Sequence, residues 1–203
     1  MAQQDGGKPE SGFNDSTPAV QKRSKEYWVL LLLRLAAFLA TASATLVMAL
    51  NKQTKTLVVA TIGNTPLKAT LTAKFQHTPA FVFFVVANGM ASVHSLTMIV
   101  VEIFGHKIDY KGLRLAIIAI LDMMTVVLAS AGDGAATFMA ALGKNGNSHA
   151  RWNKICDKFH TFCDHGSGAL IASFIGLLIL LIVNVISITK LHNPKSTYNA
   201  GFP

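Results

Sequence analysis

The chain has 203 residues, of which 51% are hydrophobic and 14% charged, with a mean hydropathy of +0.43; the length suits one domain, and the balance places it in a bilayer rather than in water. The formal net charge of +8 reads as loop lysine and arginine serving topology and anionic headgroups, because no basic-aromatic module or zinc-finger spacing accompanies it, and nucleic acid is excluded as a partner. No GxSxG, HExxH or P-loop pattern occurs, so the expectation is a non-enzymatic protein with no catalytic residues, no metal and no cofactor.

Residues 1–26 form a polar N-terminal segment expected to be disordered and cytosolic; residues 1–21 are rich in Gly, Ser, Pro, Gln and acids. The apolar run behind it is longer than the h-region of a secretory signal and lacks a clear small-residue cleavage site. Four apolar stretches follow, at about 28–49, 80–104, 113–132 and 167–189. A hydrocarbon core about 30 Å thick requires ~20 apolar helical residues, so each is long enough to cross it. The predicted fold class is an all-α membrane protein, a four-helix transmembrane bundle over residues 27–190, with a cytosolic tail at 191–203.

Lysine and arginine divide almost evenly between the two sides. Lys22, Arg23 and Lys25 abut the first span, and Lys107, Lys111 and Arg114 crowd a very short turn. Positive charge close to span ends and in short loops weighs most, so both termini are expected inside.

The first span enters behind Tyr27 and Trp28, an interfacial aromatic pair, and carries Arg34; Asp122 lies in the middle of the third. With both spans entering from the same side, Arg34 is about seven residues past Tyr27 and Asp122 about nine past Leu113, so at ~1.5 Å per residue both sit ~10–14 Å deep. A charge at a helix centre costs ~2.5–3.5 kcal/mol on the insertion scale, and opposite charges at one depth are expected to pair and hold spans one and three in register. Exchanging the two residues should then partly rescue the loss from either single change. Small residues recur every four positions at Ala36, Ala40 and Ala44, at Ala87, Ala91 and Ser95, and most clearly at Gly168, Ala172 and Gly176, the stripes along which helix backbones approach closely. Asn88 and His94 on span two are expected to hydrogen-bond between helices, and Glu102 to be an interfacial carboxylate.

The first loop alternates Leu67, Ala69, Leu71, Ala73 and Phe75 with Lys68, Thr70, Thr72 and Lys74, and Gly63-Asn64-Thr65-Pro66 supplies a turn. That period predicts a β-hairpin standing on the outer face. In the second loop, helix is expected to run past Asp133 toward Leu142 and to end at Gly143–Asn147. Trp152, Ile155, Cys156, Phe159, Phe162 and Cys163 then follow at helical spacing, which predicts a short amphipathic extracellular helix capping the bundle. Cys156, His160, Cys163 and His165 fit no common zinc module, and an oxidising outer face favours a disulfide. Residues seven apart in an unbroken helix are ~10 Å apart, too far to bridge. A Cys156–Cys163 bond therefore requires a break before Cys163, which Asp164-His165-Gly166 suggests; free thiols and a metal set are the other readings.

The stretches RLAAFLATASATLVMA around Arg34, AFVFFVVANGMASVHSL in span two, LDMMTVVLASAGDGAA around Asp122, and WNKICDKFHTFC in the second loop together resemble the plant Casparian strip membrane domain protein-like family, which is related to MARVEL-domain tetraspan proteins. The resemblance covers residues 27–189. Its first loop departs from strip-forming members by lacking their short aromatic motif, which points to the Casparian-like branch. The resemblance implies a multi-pass plasma-membrane protein with both termini cytosolic, forming homodimers or larger homo- and hetero-oligomers with family members and meeting cell-wall-side proteins. Arg34 and Asp122 match the family's intramembrane charges, and Cys156 and Cys163 its outer-loop cysteines. The leading expectation is a scaffold of a membrane subdomain. The rival is a small channel or transporter with a polar path near Asn88, His94 and Asp122, against which the spans lack repeat symmetry.

Overall fold

A computed structural model describes residues 18–104 and 113–192 of the chain; of residues 18–24 and of Val59 it describes the backbone alone. Four long helices account for most of it: α1 Pro18–Leu50, α2 Pro79–Phe104, α3 Leu113–Asn145 and α4 His160–His192. All four are long and apolar enough to cross a membrane, and the chain is a multi-pass membrane protein. Three of these helices outrun their apolar stretches. α1 begins at Pro18, inside the segment expected to be disordered, and α4 begins at His160, seven residues ahead of the span start expected at 167. Residues 1–17, 105–112 and 193–203, which include Lys107 and Lys111, most of the polar N-terminus and most of the tail, lie outside the described residues.

Each helix packs against its neighbours in sequence, and α1 closes the ring against α4, so α1 faces α3, and α2 faces α4, across the axis of an up-down-up-down bundle. The buried positions step alternately by three and four: Leu30, Arg34, Ala37, Thr41, Ala44 and Met48 on α1, Phe81, Phe84, Asn88, Ala91, Ser95 and Met98 on α2, and Ala169, Ser173, Gly176, Leu180, Val183 and Ser187 on α4. A mean step of 3.5 is the seam of a left-handed bundle. The opposite faces expose Leu32, Leu39, Val93, Met124 and Leu178, as a bilayer requires.

α1 runs into a two-stranded antiparallel hairpin, β1 Lys52–Ile62 and β2 Thr65–Lys74. Gly63 takes φ +63 at the first central position of its two-residue turn, the conformation glycine adopts without penalty and the one that matches strand twist. The register shifts between Val58 and Ala60, and this bulge reverses the side-chain alternation partway along β1. On one face Thr54 meets Thr72 and Thr56 meets Thr70, hydroxyl to hydroxyl at 3.0 and 3.1 Å.

Pro79 opens α2 at the position where a missing N–H is harmless, and the Thr78 carbonyl accepts from Phe81 and Val82. At this end of the bundle Phe81, Phe84, Phe159 and Phe162 form one apolar cluster with Met48 and Leu170. Phe81 and Phe162 meet edge to face with centroids 6.2 Å apart. Asn51 Nδ2 donates to the Phe162 carbonyl at 2.7 Å, and the Phe162 N–H donates to Gln53 Oε1 at 2.9 Å. One of the free N–H groups that begin any helix is thereby satisfied from the α1–β1 junction.

The amphipathic helix expected over Trp152–Cys163 is not what forms there. Residues 146–159 make a sequence of turns. Asn147 Oδ1 accepts from the backbone N–H of His149 and Ala150, an Asx turn. Gly146 takes φ +69 with the Trp152 carbonyl 2.7 Å from where a Cβ would stand, and the N–H groups of Ile155 and Cys156 return to the Gly143 carbonyl. The backbone bonds a helix needs are thus diverted to the end of α3. Phe159 and Phe162 still point inward, while Trp152 and Ile155 are exposed.

Candidate functional site

The polar groups inside the bundle are stacked in layers. Nearer the helix ends where the chain starts and stops, Arg34 of α1 reaches across the axis to Asp122 of α3, with Nη1–Oδ1 at 3.0 Å and Nη2–Oδ2 at 2.9 Å. Both residues are 2% exposed, so the pair is bidentate and away from water, which gives it strength and a fixed geometry. The remaining helices complete it. Arg34 Nε donates to Glu102 Oε1 of α2 at 2.8 Å. His94 Nε2, also on α2, lies 2.8 Å from Asp122 Oδ1; facing an acceptor-only carboxylate, that nitrogen carries the proton. Ser187 of α4 donates to Asp122 Oδ2 at 2.9 Å. Every helix contributes, and Asp122 is the hub. A buried pair stripped of one partner leaves an uncompensated charge, so the layer is stable only as a whole.

Farther toward the hairpin, past an apolar layer of Ala37, Ala91, Ala129 and Leu180, lies a second polar group. Asp133 of α3 and Asn88 of α2 are fully buried, and Ser173 of α4 is 1% exposed. Ser173 Oγ sits 2.6 Å from Asp133 Oδ1 and 2.7 Å from Asn88 Oδ1. Asn88 Nδ2 donates to the Phe84 carbonyl at 3.2 Å and approaches Asp133 Oδ1 at 3.3 Å. Gly132 makes this possible: a Cβ there would stand 2.8 Å from the Ala87 Cβ, so α2 and α3 are in backbone contact beside Asp133.

The structure brings Arg34 and Asp122 together and separates Asn88 from His94 into different layers. Glu102 belongs to the Arg34 network rather than standing as an isolated interfacial carboxylate. Asp133, just outside the third apolar stretch, reads in the sequence only as a carboxylate without a convincing acid–base partner; the helix expected to run past it toward Leu142 does form, to Asn145, and carries it into the bundle. The stripe Gly168–Ala172–Gly176 is used at one end only. A Cβ on Gly176 would meet Thr41 Cγ2 at 2.9 Å and Ala40 Cβ at 3.2 Å on α1, whereas one on Gly168 would meet nothing within 4 Å. Ala172 is partly buried against the aromatic cluster. Gly168 therefore is not a packing residue within the bundle, because the 3.5-residue seam drifts away from a strict four-residue stripe.

Cys156 and Cys163 form a disulfide with Cα atoms 5.7 Å apart. The break that lets them meet falls before His160, and Asp164-His165-Gly166 continue as helix. Both sulfurs are occupied by each other, and among the described residues no group of three or more His, Cys, Asp or Glu is arranged to hold a metal ion.

The model of the Casparian strip membrane protein domain matches residues 23–179. Among similar proteins, CASP-like protein 1B2 of Populus trichocarpa is 68% identical over 191 residues, covering 94% of each chain. CASP-like protein 1B1 of the same species is 74% identical over 170 residues, 83% of this chain and 87% of the other. CASP-like protein 1B2 of Arabidopsis thaliana is 63% identical over 168 residues, 83% and 85% of the two chains. No solved structure matches. With the model spanning most of the chain, and the Arg34–Asp122 and Cys156–Cys163 pairs in place within that match, this protein belongs to the Casparian strip membrane protein domain family, among its CASP-like members.

Proposed function

We propose that the protein is a non-enzymatic plasma-membrane tetraspan protein, with both termini cytosolic, that self-associates laterally, scaffolds a membrane subdomain and recruits partners on the cell-wall side. The observation that supports this best is the direction in which its polar chemistry points. Arg34, Asp122, His94 and Ser187 are directed at one another inside the bundle, and Asn88, Asp133 and Ser173 likewise. What is left for contact is the outside: apolar helix faces toward lipid and sister helices, and the exposed hairpin and disulfide-closed turns at one end. The reading of that end as the outer one is supported by Lys22, Arg23 and Lys25 near the start of α1 and by the preference of disulfides for an oxidising compartment.

A conducting path near Asn88, His94 and Asp122 would have to cross the apolar layer between the two polar groups and break the bonds that saturate Asp122. The scaffold reading is tested by photobleaching a fluorescently tagged copy in plant plasma membrane and cross-linking the same membranes. Slow recovery with a ladder of large adducts is the expected result. Fast, complete recovery with one discrete small oligomer would overturn it and direct attention to flux assays on Asp122 variants.

A further inference from the structure

The layer of Asn88, Asp133 and Ser173 has one proton too few if Asp133 is ionised. Ser173 Oγ stands 2.6 Å from Asp133 Oδ1 and 2.7 Å from Asn88 Oδ1, both separations of O–H···O bonds. A hydroxyl has a single proton to give. With Asp133 charged, one of the two contacts joins bare acceptors, and Oδ2, which is buried without a partner, holds charge among apolar side chains. Turning the Asn88 amide over supplies a donor to Ser173. It also sets the amide oxygen 3.2 Å from the Phe84 carbonyl and 3.3 Å from Asp133 Oδ1, where Nδ2 now stands. Two favourable contacts then become two repulsive ones.

We infer that Asp133 is held as a neutral carboxylic acid, and that Asp133, Ser173 and Asn88 together form a proton-binding site inside the bundle. The Asp133 Oδ1 proton is donated to Ser173 Oγ, and the Ser173 proton to Asn88 Oδ1. The Asn88 amino group continues to the Phe84 carbonyl. The chain of donors runs in one direction through α3, α4 and α2 and closes on backbone. Oδ2 becomes a neutral carbonyl, for which lacking a partner is a far smaller penalty than for a carboxylate oxygen. Asp122 is the opposite case: two arginine N–H groups, a histidine N–H and a serine hydroxyl all donate to it, which is what an ionised carboxylate requires. The inference rests on hydrogen-bond geometry alone and is independent of the scaffold reading.

The test is an infrared difference spectrum of the full-length chain in lipid vesicles at neutral pH, wild type against D133N, in water and in deuterium oxide. The wild type is expected to show one additional carboxylic-acid carbonyl band, deuterium-sensitive and absent from D133N. S173A, which removes the acceptor, should shift that band without abolishing it, and D122N should remove carboxylate bands only. Loss of carboxylate bands alone in D133N would overturn the inference. Should D133N fail to fold, the S173A spectrum decides: an acid carbonyl band that moves upholds it, and a spectrum whose acid bands are unchanged overturns it.

Discussion

Asp122 and Asp133 sit eleven residues apart on one helix, both buried, and the bundle treats them differently. Around Asp122 all four helices converge, and its partners include a guanidinium and an imidazole. Around Asp133 the hydrogen-bond partners are an amide and a hydroxyl, from α2 and α4, and among the described residues no cation pairs with it. Eleven residues are about 16 Å of helix, too far for one layer to borrow charge from the other across the intervening apolar side chains. The charged layer ties α1 to the far side of the bundle, and the uncharged one ties α2, α3 and α4 to each other. The identity of a buried aspartate is thus set by what the facing helices present, and the same residue type serves as the hub of an ion network or as a hydrogen-bonding acid.

That contrast predicts unequal costs. R34A strips Asp122 and Glu102 of their shared guanidinium, and D122A leaves Arg34 with Glu102 alone; each should lower stability by ~3–5 kcal/mol. The check is a chemical or thermal unfolding curve of the purified chain in detergent, together with loss of the folded pool in cells. The exchange R34D with D122R would show next how far the layer is a simple pair. The exchanged aspartate would face Glu102 and the exchanged arginine would face His94, so less than half of the single-variant loss should return; adding E102Q should return more. Full rescue by the exchange alone would show the two outer partners to be bystanders.

Helix packing supplies a third comparison. G176A pushes a Cβ into Thr41 and Ala40, and overpacking of that kind costs ~1–3 kcal/mol. G168A meets open space and should fall within ~0.5 kcal/mol of wild type, measured by the same unfolding curves. The uncharged layer should also respond weakly. D133N retains a donor for Ser173, and interhelical hydrogen bonds in membranes average only about 0.6 kcal/mol, so D133N should lie near that figure while D122N loses several times as much. Equal losses would erase the distinction between the layers.

The sequence made the spans, the Arg34–Asp122 pairing and the hairpin readable because each rests on a strong local signal: apolar length, charge where lipid forbids it, and period-two alternation from Leu67 to Phe75 behind the Gly63-Asn64-Thr65-Pro66 turn. What it hid depends on geometry between helices. Glu102 looked interfacial because the apolar run ends there, yet Arg34 is long enough to reach it from a buried position. Asp133 lies outside the apolar stretch, and although helix is expected past it and α3 does continue another twelve residues to Asn145, the spacing does not show that Asn88 and Ser173 of two other helices face it. The helical spacing of Trp152–Cys163 was real as a pattern and misleading as a fold, since Gly146 and Asn147 commit the chain to turns before a helix can start. The small-residue stripe Gly168–Ala172–Gly176 does not say in the sequence whether it faces a sister helix or another subunit; within the bundle, the 3.5-residue seam brings only Gly176 of its two glycines into close contact.

Self-association is the claim on which the functional account depends, and subunit counting tests it most directly. The tagged chain would be extracted from plant plasma membrane in polymer-bounded nanodiscs, without detergent, and weighed by native mass spectrometry. The account predicts two or more copies per disc at expression levels matching the native protein, with larger discs holding more. A single copy per disc, independent of disc size, would contradict it.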